Sequence, residues 1–212
     1  MSSQRHLINV LIICFVSMNN LIAIFMIVLL TGCQTSVNKV DSNKDDAVIL
    51  SLPDTTFGFS KVQITQEIKA GVLHEYKQYY FPNGTIAMQG EFINFTKENW
   101  WEEYHVTGKL KSRGPYHHDK KQGDWSMYYE NGTLQSIGPF DVDQMHGWWK
   151  HYNEVKQIIS EGNYENGEKT GYWITYENEI THTEGKYDKG EPVGLWKYYE
   201  DNGELESTFD FE

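Results

Sequence analysis

Only two of the 212 residues are cysteine, Cys14 and Cys33, and none follows residue 33. That excludes an intramolecular disulfide framework or a cysteine-based zinc site for the rest of the chain. Bases are also scarce, with 18 Lys and Arg against 30 Asp and Glu and a formal charge of −12. No nucleic-acid partner is expected, because neutralising phosphates needs a basic stripe. Aliphatic side chains are few: the 180 residues from Cys33 onward hold 26 Ile, Leu and Val. High charge with few aliphatics ordinarily signals disorder. Against it stand 7 Trp and 14 Tyr, all after residue 75, so the apolar area is carried by rings. Their placement decides whether the chain folds.

Residues 7–30 are mostly apolar, interrupted by Asn9 and Ser17-Met18-Asn19-Asn20, preceded by Arg5 and followed at once by Thr31-Gly32-Cys33. Leu30-Thr31-Gly32-Cys33 resembles the lipobox of bacterial lipoproteins. The resemblance implies that residues 1–32 are a removed signal peptide and that Cys33 is the acylated first residue of the mature protein. A retained transmembrane helix is the alternative, since 24 residues can span a bilayer. Two or three acyl chains anchor stably where one does not. Gln34 follows the cysteine where Asp would suggest inner-membrane retention, so the resemblance implies a cell-envelope protein at the outer membrane, facing the periplasm. Residues 33–46 comprise that cysteine and a polar stretch without apolar periodicity, which reads as a flexible tether.

Aligning the tryptophans exposes a repeat. Trp101, Trp125, Trp149, Trp173 and Trp196 are 24, 24, 24 and 23 residues apart, and Tyr104, Tyr128, Tyr152, Tyr176 and Tyr199 each follow three later. Gly114, Gly138, Gly162 and Gly185 recur in phase, each followed two later by Tyr116, Phe140, Tyr164 or Tyr187. An earlier unit keeps Tyr80, Gly84, Gly90 and Phe92 but has Lys77 in the tryptophan place, and the last unit has Phe209 in the glycine place. About six units therefore occupy residues 74–212, with atypical ends as expected of caps.

Asn83-Gly84, Asn131-Gly132 and Asn202-Gly203, with Thr107-Gly108 in phase, read as hairpin turns in which both residues accept positive φ. A second turn, between units, carries Gly167 and Gly190, with Asp119 and Asp143 in the same phase. Gly123, Gly147, Gly171 and Gly194 each stand two before a Trp, where a missing side chain could admit a neighbouring ring. Pro115 and Pro139 share a phase whose N–H the ladder does not need. No stretch after residue 74 offers a capped helix. The expected fold is all-β: an elongated, twisted antiparallel array of β-hairpin repeats, about twelve strands on the order of 55 Å long at roughly 4.8 Å per strand. Trp and the Tyr three later would face opposite ways in a regular strand, so either each strand has a bulge or both faces carry rings. Residues 47–73 read as two or three strands, a short β cap or degenerate repeat.

The units GDWSMYYENGTLQSIGPF (residues 123–140) and GLWKYYEDNGEL (residues 194–205) resemble the MORN repeat variant of bacterial proteins, a family that includes YwqK-type antitoxins. The resemblance implies a repeat scaffold for protein binding, including antitoxin- or immunity-like neutralisation of a toxin or effector. Two units depart from it. Lys156 stands where a turn glycine belongs, and the unit around Glu179-Ile180 is one residue short.

Few residues suggest chemistry. Gly162 to Thr170 superficially matches a phosphate-binding loop, but Glu168 separates glycine from lysine and no helix follows. His117-His118-Asp119 contains potential ligands, yet neighbouring histidines in an extended strand face opposite sides, so no metal, cofactor or catalytic set is expected. Trp100 and Trp148 lie off the repeat phase, each before a phase Trp, and are the candidate surface anchors for a partner. Residues 154–212 hold 15 acids and 5 bases, a net charge of −10 that would steer a basic toxin or effector. A cell-envelope glycan or lipid binder, with rings stacking on sugars or headgroups, is the alternative.

Overall fold

The computed structural model describes residues 59–212 in full and, before them, the backbones of two strands, β1 (Ser36–Val37) and β2 (Val48–Leu52). Cys33, the expected signal peptide and most of the expected tether lie outside the described residues. The strands that follow are β3 (Lys61–Lys69), β4 (Val72–Tyr80), β5 (Ile86–Ile93), β6 (Thr96–Tyr104), β7 (Leu110–His117), β8 (Lys120–Lys121) and β9 (Gly123–Tyr128). Then come β10 (Leu134–Asp141), β11 (Gln144–Met145), β12 (Gly147–Tyr152), β13 (Ile158–Glu165), β14 (Glu168–Glu177), β15 (Ile180–Asp188), β16 (Glu191–Tyr199) and β17 (Leu205–Phe211). From β2 onward the strands pair antiparallel in a continuous meander, each with its sequence neighbours except at β8/β9 and β11/β12, and no helix occurs among the described residues. The short β8 and β9 both face β7, and β11 and β12 both face β10. Counting each such pair as one strand, β4 to β17 make twelve strands.

The two turn families differ. Between units, both central residues have positive φ, as in His118 (49°) with Asp119 (64°) and Asn166 (52°) with Gly167 (82°), which is the two-residue type I′ hairpin. Within units only the glycine does: Gly84, Gly108, Gly132 and Gly203 have φ of 83 to 91°, while the preceding Asn83, Thr107, Asn131 and Asn202 do not. The expected hairpin turns are present, and of each pair only the glycine uses positive φ. The loop is a three-residue type I turn closed by a left-handed glycine, as the Gly84 N–H to Phe81 O and Phe81 N–H to Thr85 O bonds show. Asn83 earns its place through its side chain: Oδ1 accepts from the Thr85 N–H at 3.0 Å, and Nδ2 donates to Val106 O of the next loop at 2.9 Å. Asn131 repeats this with Thr133 and Glu154. Lys156 takes the left-handed place itself, at φ 72°. The short unit turns on Asn178-Glu179, a two-residue hairpin with φ of 49° and 67°.

The core is one row running across the sheet. Gly90, Trp101, Gly114 and, further along, Trp125, Gly138 lie opposite one another, as do Trp149, Gly162, Trp173, Gly185. Each indole lies over the glycine of the preceding strand: a Cβ at Gly114 would come 2.4 Å from Trp125 Cδ2, and one at Gly162 2.3 Å from Trp173 Cδ2. The glycines two before each Trp serve another purpose. Gly123, Gly147, Gly171 and Gly194 have φ of 63 to 73°, with no aromatic ring within 4 Å of a Cβ built there and only Pro115 and Pro139 Cγ, at 3.4 and 3.1 Å, near the first two, so backbone conformation and not space for an aromatic ring is what all four share. In the unit of Trp101 that place is held by Asn99 at φ 59°.

Candidate binding face

The open question of the Trp-x-x-Tyr pairs is resolved by register. On β6, residues 99 to 103 pair one for one with β7, and the extra residue falls on β7 between Leu110 and Ser112. The same shift recurs opposite Tyr152 and Tyr176. From Trp to Tyr the strand is thus regular and both faces carry rings, whereas the two residues before the Trp, Asn99-Trp100 on β6 and Gly171-Tyr172 on β14, bulge out of the pairing with the preceding strand.

One face is closed. Phe92, Trp101, Tyr116, Trp125, Phe140, Trp149, Tyr164, Trp173, Tyr187, Trp196 and Phe211 contact one another edge to face in unbroken succession, with centroids 5.0 to 6.2 Å apart and planes at 74 to 89°. Each such contact is worth about 0.5–1.5 kcal/mol beyond the area it buries. Lys97, Lys121 and Lys169, four before a Trp, lay their ammonium groups over Trp101, Trp125 and Trp173 at 4.4, 4.2 and 4.3 Å. Burial pushes the Lys97 and Lys169 ammonium groups below the usual lysine range. Every indole N–H is satisfied by a carbonyl just past the glycine it covers: Trp125 by Pro115 O at 3.0 Å, Trp149 by Pro139 O at 2.9 Å, Trp173 by Asn163 O at 2.9 Å. This is how a single-layer sheet leaves Trp101, Trp125 and Trp149 with no exposed surface. His151 completes the face, stacked between Trp149 and Trp173 at 6.1 and 6.2 Å; burial, then Lys169, holds its imidazole below the ordinary histidine range.

The opposite face is open. Trp100 and Trp148, paired with Pro115 and Asn163, are 53% and 43% exposed. They belong to a longer row, one before each phase position, that includes exposed Tyr76, Tyr172 and Leu195 and is broken by Asp124. Sequence reading found the two tryptophans and missed Tyr76 and Tyr172, although the same phase marks them. Beside the row runs a polar ladder. Glu161 accepts from Tyr176 Oη at 2.7 Å and Trp148 Nε1 at 3.2 Å and pairs with Lys150 at 3.3 Å. Glu184 repeats the arrangement with Tyr199 and Lys197, at 2.6 and 2.8 Å. Hydrogen bonds from Lys197 and Tyr199 bring the Glu184 carboxyl down to about 2. Glu184 in turn pushes Tyr172, already raised by burial, up to about 12.

At the N-terminal end of the row Tyr76 and Trp100 flank a concavity of about 410 Å³, with Glu67, Glu91, His74 and Asn99 among its lining residues. Glu91 is held by His74 Nδ1 and Asn99 Nδ2, each at 2.6 Å. Two aromatic walls around carboxylates suit a guanidinium or ammonium group.

The family model described as MORN repeat variant matches residues 121–141 and 192–212. The chain carries MORN repeat variant units. The matched stretches hold Trp125 with Phe140 and Trp196 with Phe211, and the same Trp–Gly row continues through the units between and before them. Such repeats are generally protein- or membrane-binding scaffolds. No curated protein matches the chain. Among the described residues no helix is long and apolar enough to cross a membrane.

Proposed function

We propose that the chain is a non-enzymatic scaffold, lipid-anchored through Cys33, whose open face docks a basic protein partner, including a toxin or effector that it neutralises. The observation that carries the reading is the division of labour between the faces. The closed face uses its rings to hold the fold, whereas Tyr76, Trp100, Trp148 and Tyr172 on the open face are exposed beside carboxylates. Exposed aromatics next to acids offer anchors for apolar and cationic groups together. The acidic C-terminal units add long-range steering. The anchor rests on the lipobox resemblance of residues 30–33 alone.

The test is affinity capture from the cell-envelope fraction with the full-length protein, with the Trp100→Ala/Trp148→Ala double variant run in parallel. A basic protein retained by the parent, lost from the variant and released by salt supports the proposal. An empty capture, or a partner indifferent to both changes, overturns it. Saturable binding of an envelope glycan lost from the same variant would replace the protein partner with a sugar.

A further inference from the structure

His117 and His118 converge on one carboxylate, against the expectation that adjacent histidines diverge. His118 begins the type I′ turn at φ 49°, which rotates its side chain out of the strand alternation and brings the two imidazoles to 4.1 Å between centroids. Glu98, on the adjoining β6, lies beneath them with its carboxylate mostly buried. Its Oε2 is 3.0 Å from His117 Nδ1, its Oε1 is 2.8 Å from His118 Nδ1, and the three ligand atoms lie within 4.8 Å of one another. A tetrahedral zinc ion with bonds of about 2.0–2.2 Å holds its ligand atoms roughly 3.3 Å apart, so small side-chain rotations admit the ion.

We propose that Glu98, His117 and His118 form a divalent transition-metal site of the zinc class, on the edge of the sheet where the inter-unit turns lie. Two imidazoles and a carboxylate are the donor set that zinc accepts, and three protein ligands leave a coordination position open. Both histidine side chains are largely solvent-exposed, 66% and 72%, so an ion enters without opening the fold and water fills that position.

The alternative role for Glu98 is to hold the turn, since it accepts the His118 N–H at 2.9 Å. The next unit shows what that role requires. Gln122 occupies the corresponding place, accepts the Val142 N–H at 3.2 Å and donates to Asp141 at 3.0 Å. A neutral amide suffices there, and Asp141 and Val142 replace the two histidines. Turn-holding thus explains an oxygen at position 98 but not a carboxylate under two imidazoles.

The test is calorimetric titration of the untagged full-length protein with Zn²⁺ alone at neutral pH, with Co²⁺ absorption as a second readout of coordination. One ion per chain is expected. His117→Gln and His118→Asn together abolish that binding, Asn being chosen because it tolerates the positive φ at 118. Glu98→Gln, which keeps the turn bond as Gln122 does, weakens it at least about tenfold. Far-UV circular dichroism confirms that the variants keep the parent fold. No saturable binding by the parent, or undiminished binding by the folded double-histidine variant, overturns the proposal.

Discussion

Gly138 lies directly beneath Trp149: a Cβ at position 138 would come 2.4 Å from the indole Cδ2 and 2.5 Å from Cγ. The indole is fully buried and bonded to Pro139 O, so it has no room to lift. Gly138→Ala is expected to cost about 3 kcal/mol or more through overpacking, read as a lowered denaturation midpoint. Gly171→Ala meets nothing within 4 Å and bears only its φ of 64°, an expected cost of about 1–2 kcal/mol. Equal effects of the two substitutions would refute the ring-over-glycine account. The same logic explains Phe209: no later Trp comes to lie over it, so the last place in the row tolerates a side chain.

Lys156 holds a left-handed conformation, φ 72°, in the loop position that glycine fills in four other units. Lys156→Gly is expected to stabilise the protein by about 1 kcal/mol, because the steric cost of a Cβ there outweighs the extra freedom of glycine in the unfolded chain. Thermal unfolding checks it, and an unchanged or lower midpoint would count against this loop assignment.

His151 titrates between two indoles, and its depressed pKa gives a definite sign. As pH falls through about 6.5 the unfolded chain takes up the proton first. Stability is therefore greatest above that pH and declines below it. His151→Gln should flatten the stability profile across that range; an equally steep decline would place its origin elsewhere.

Glu184 has the acid-side counterpart. Its folded pKa of about 2 lies below the roughly 4.3 of an unfolded glutamate, so its contribution is complete above the unfolded value and disappears as pH falls toward 2. Glu184→Gln should lower stability at neutral pH and lessen its acid dependence. Tyr199→Phe, which removes one of the bonds, should reproduce part of both effects.

Much of the fold was legible because each unit restates its rules within 23 or 24 residues. Trp-x-x-Tyr pairs, turn glycines and the aromatic two past each core glycine are local signals, and their repetition separates them from chance. The candidate face was half legible: Trp100 and Trp148 stood out by residue type, while Tyr76 and Tyr172 needed the observation that a whole phase is exposed. The histidine pair was misread because alternation along a strand was applied to a residue that starts a turn.

By itself the sequence determined the period, the all-β class, the turn positions and the supply of rings. Tertiary structure alone decided which glycine answers to which tryptophan, since Gly138 and Trp149 are eleven residues apart and their match depends on the register of β10 against β12. It also decided that both faces carry rings and that Glu98 sits under two imidazoles. Those are cross-strand relations, set by register and by backbone φ at single turn residues, and neither is a property of residue type read along the chain.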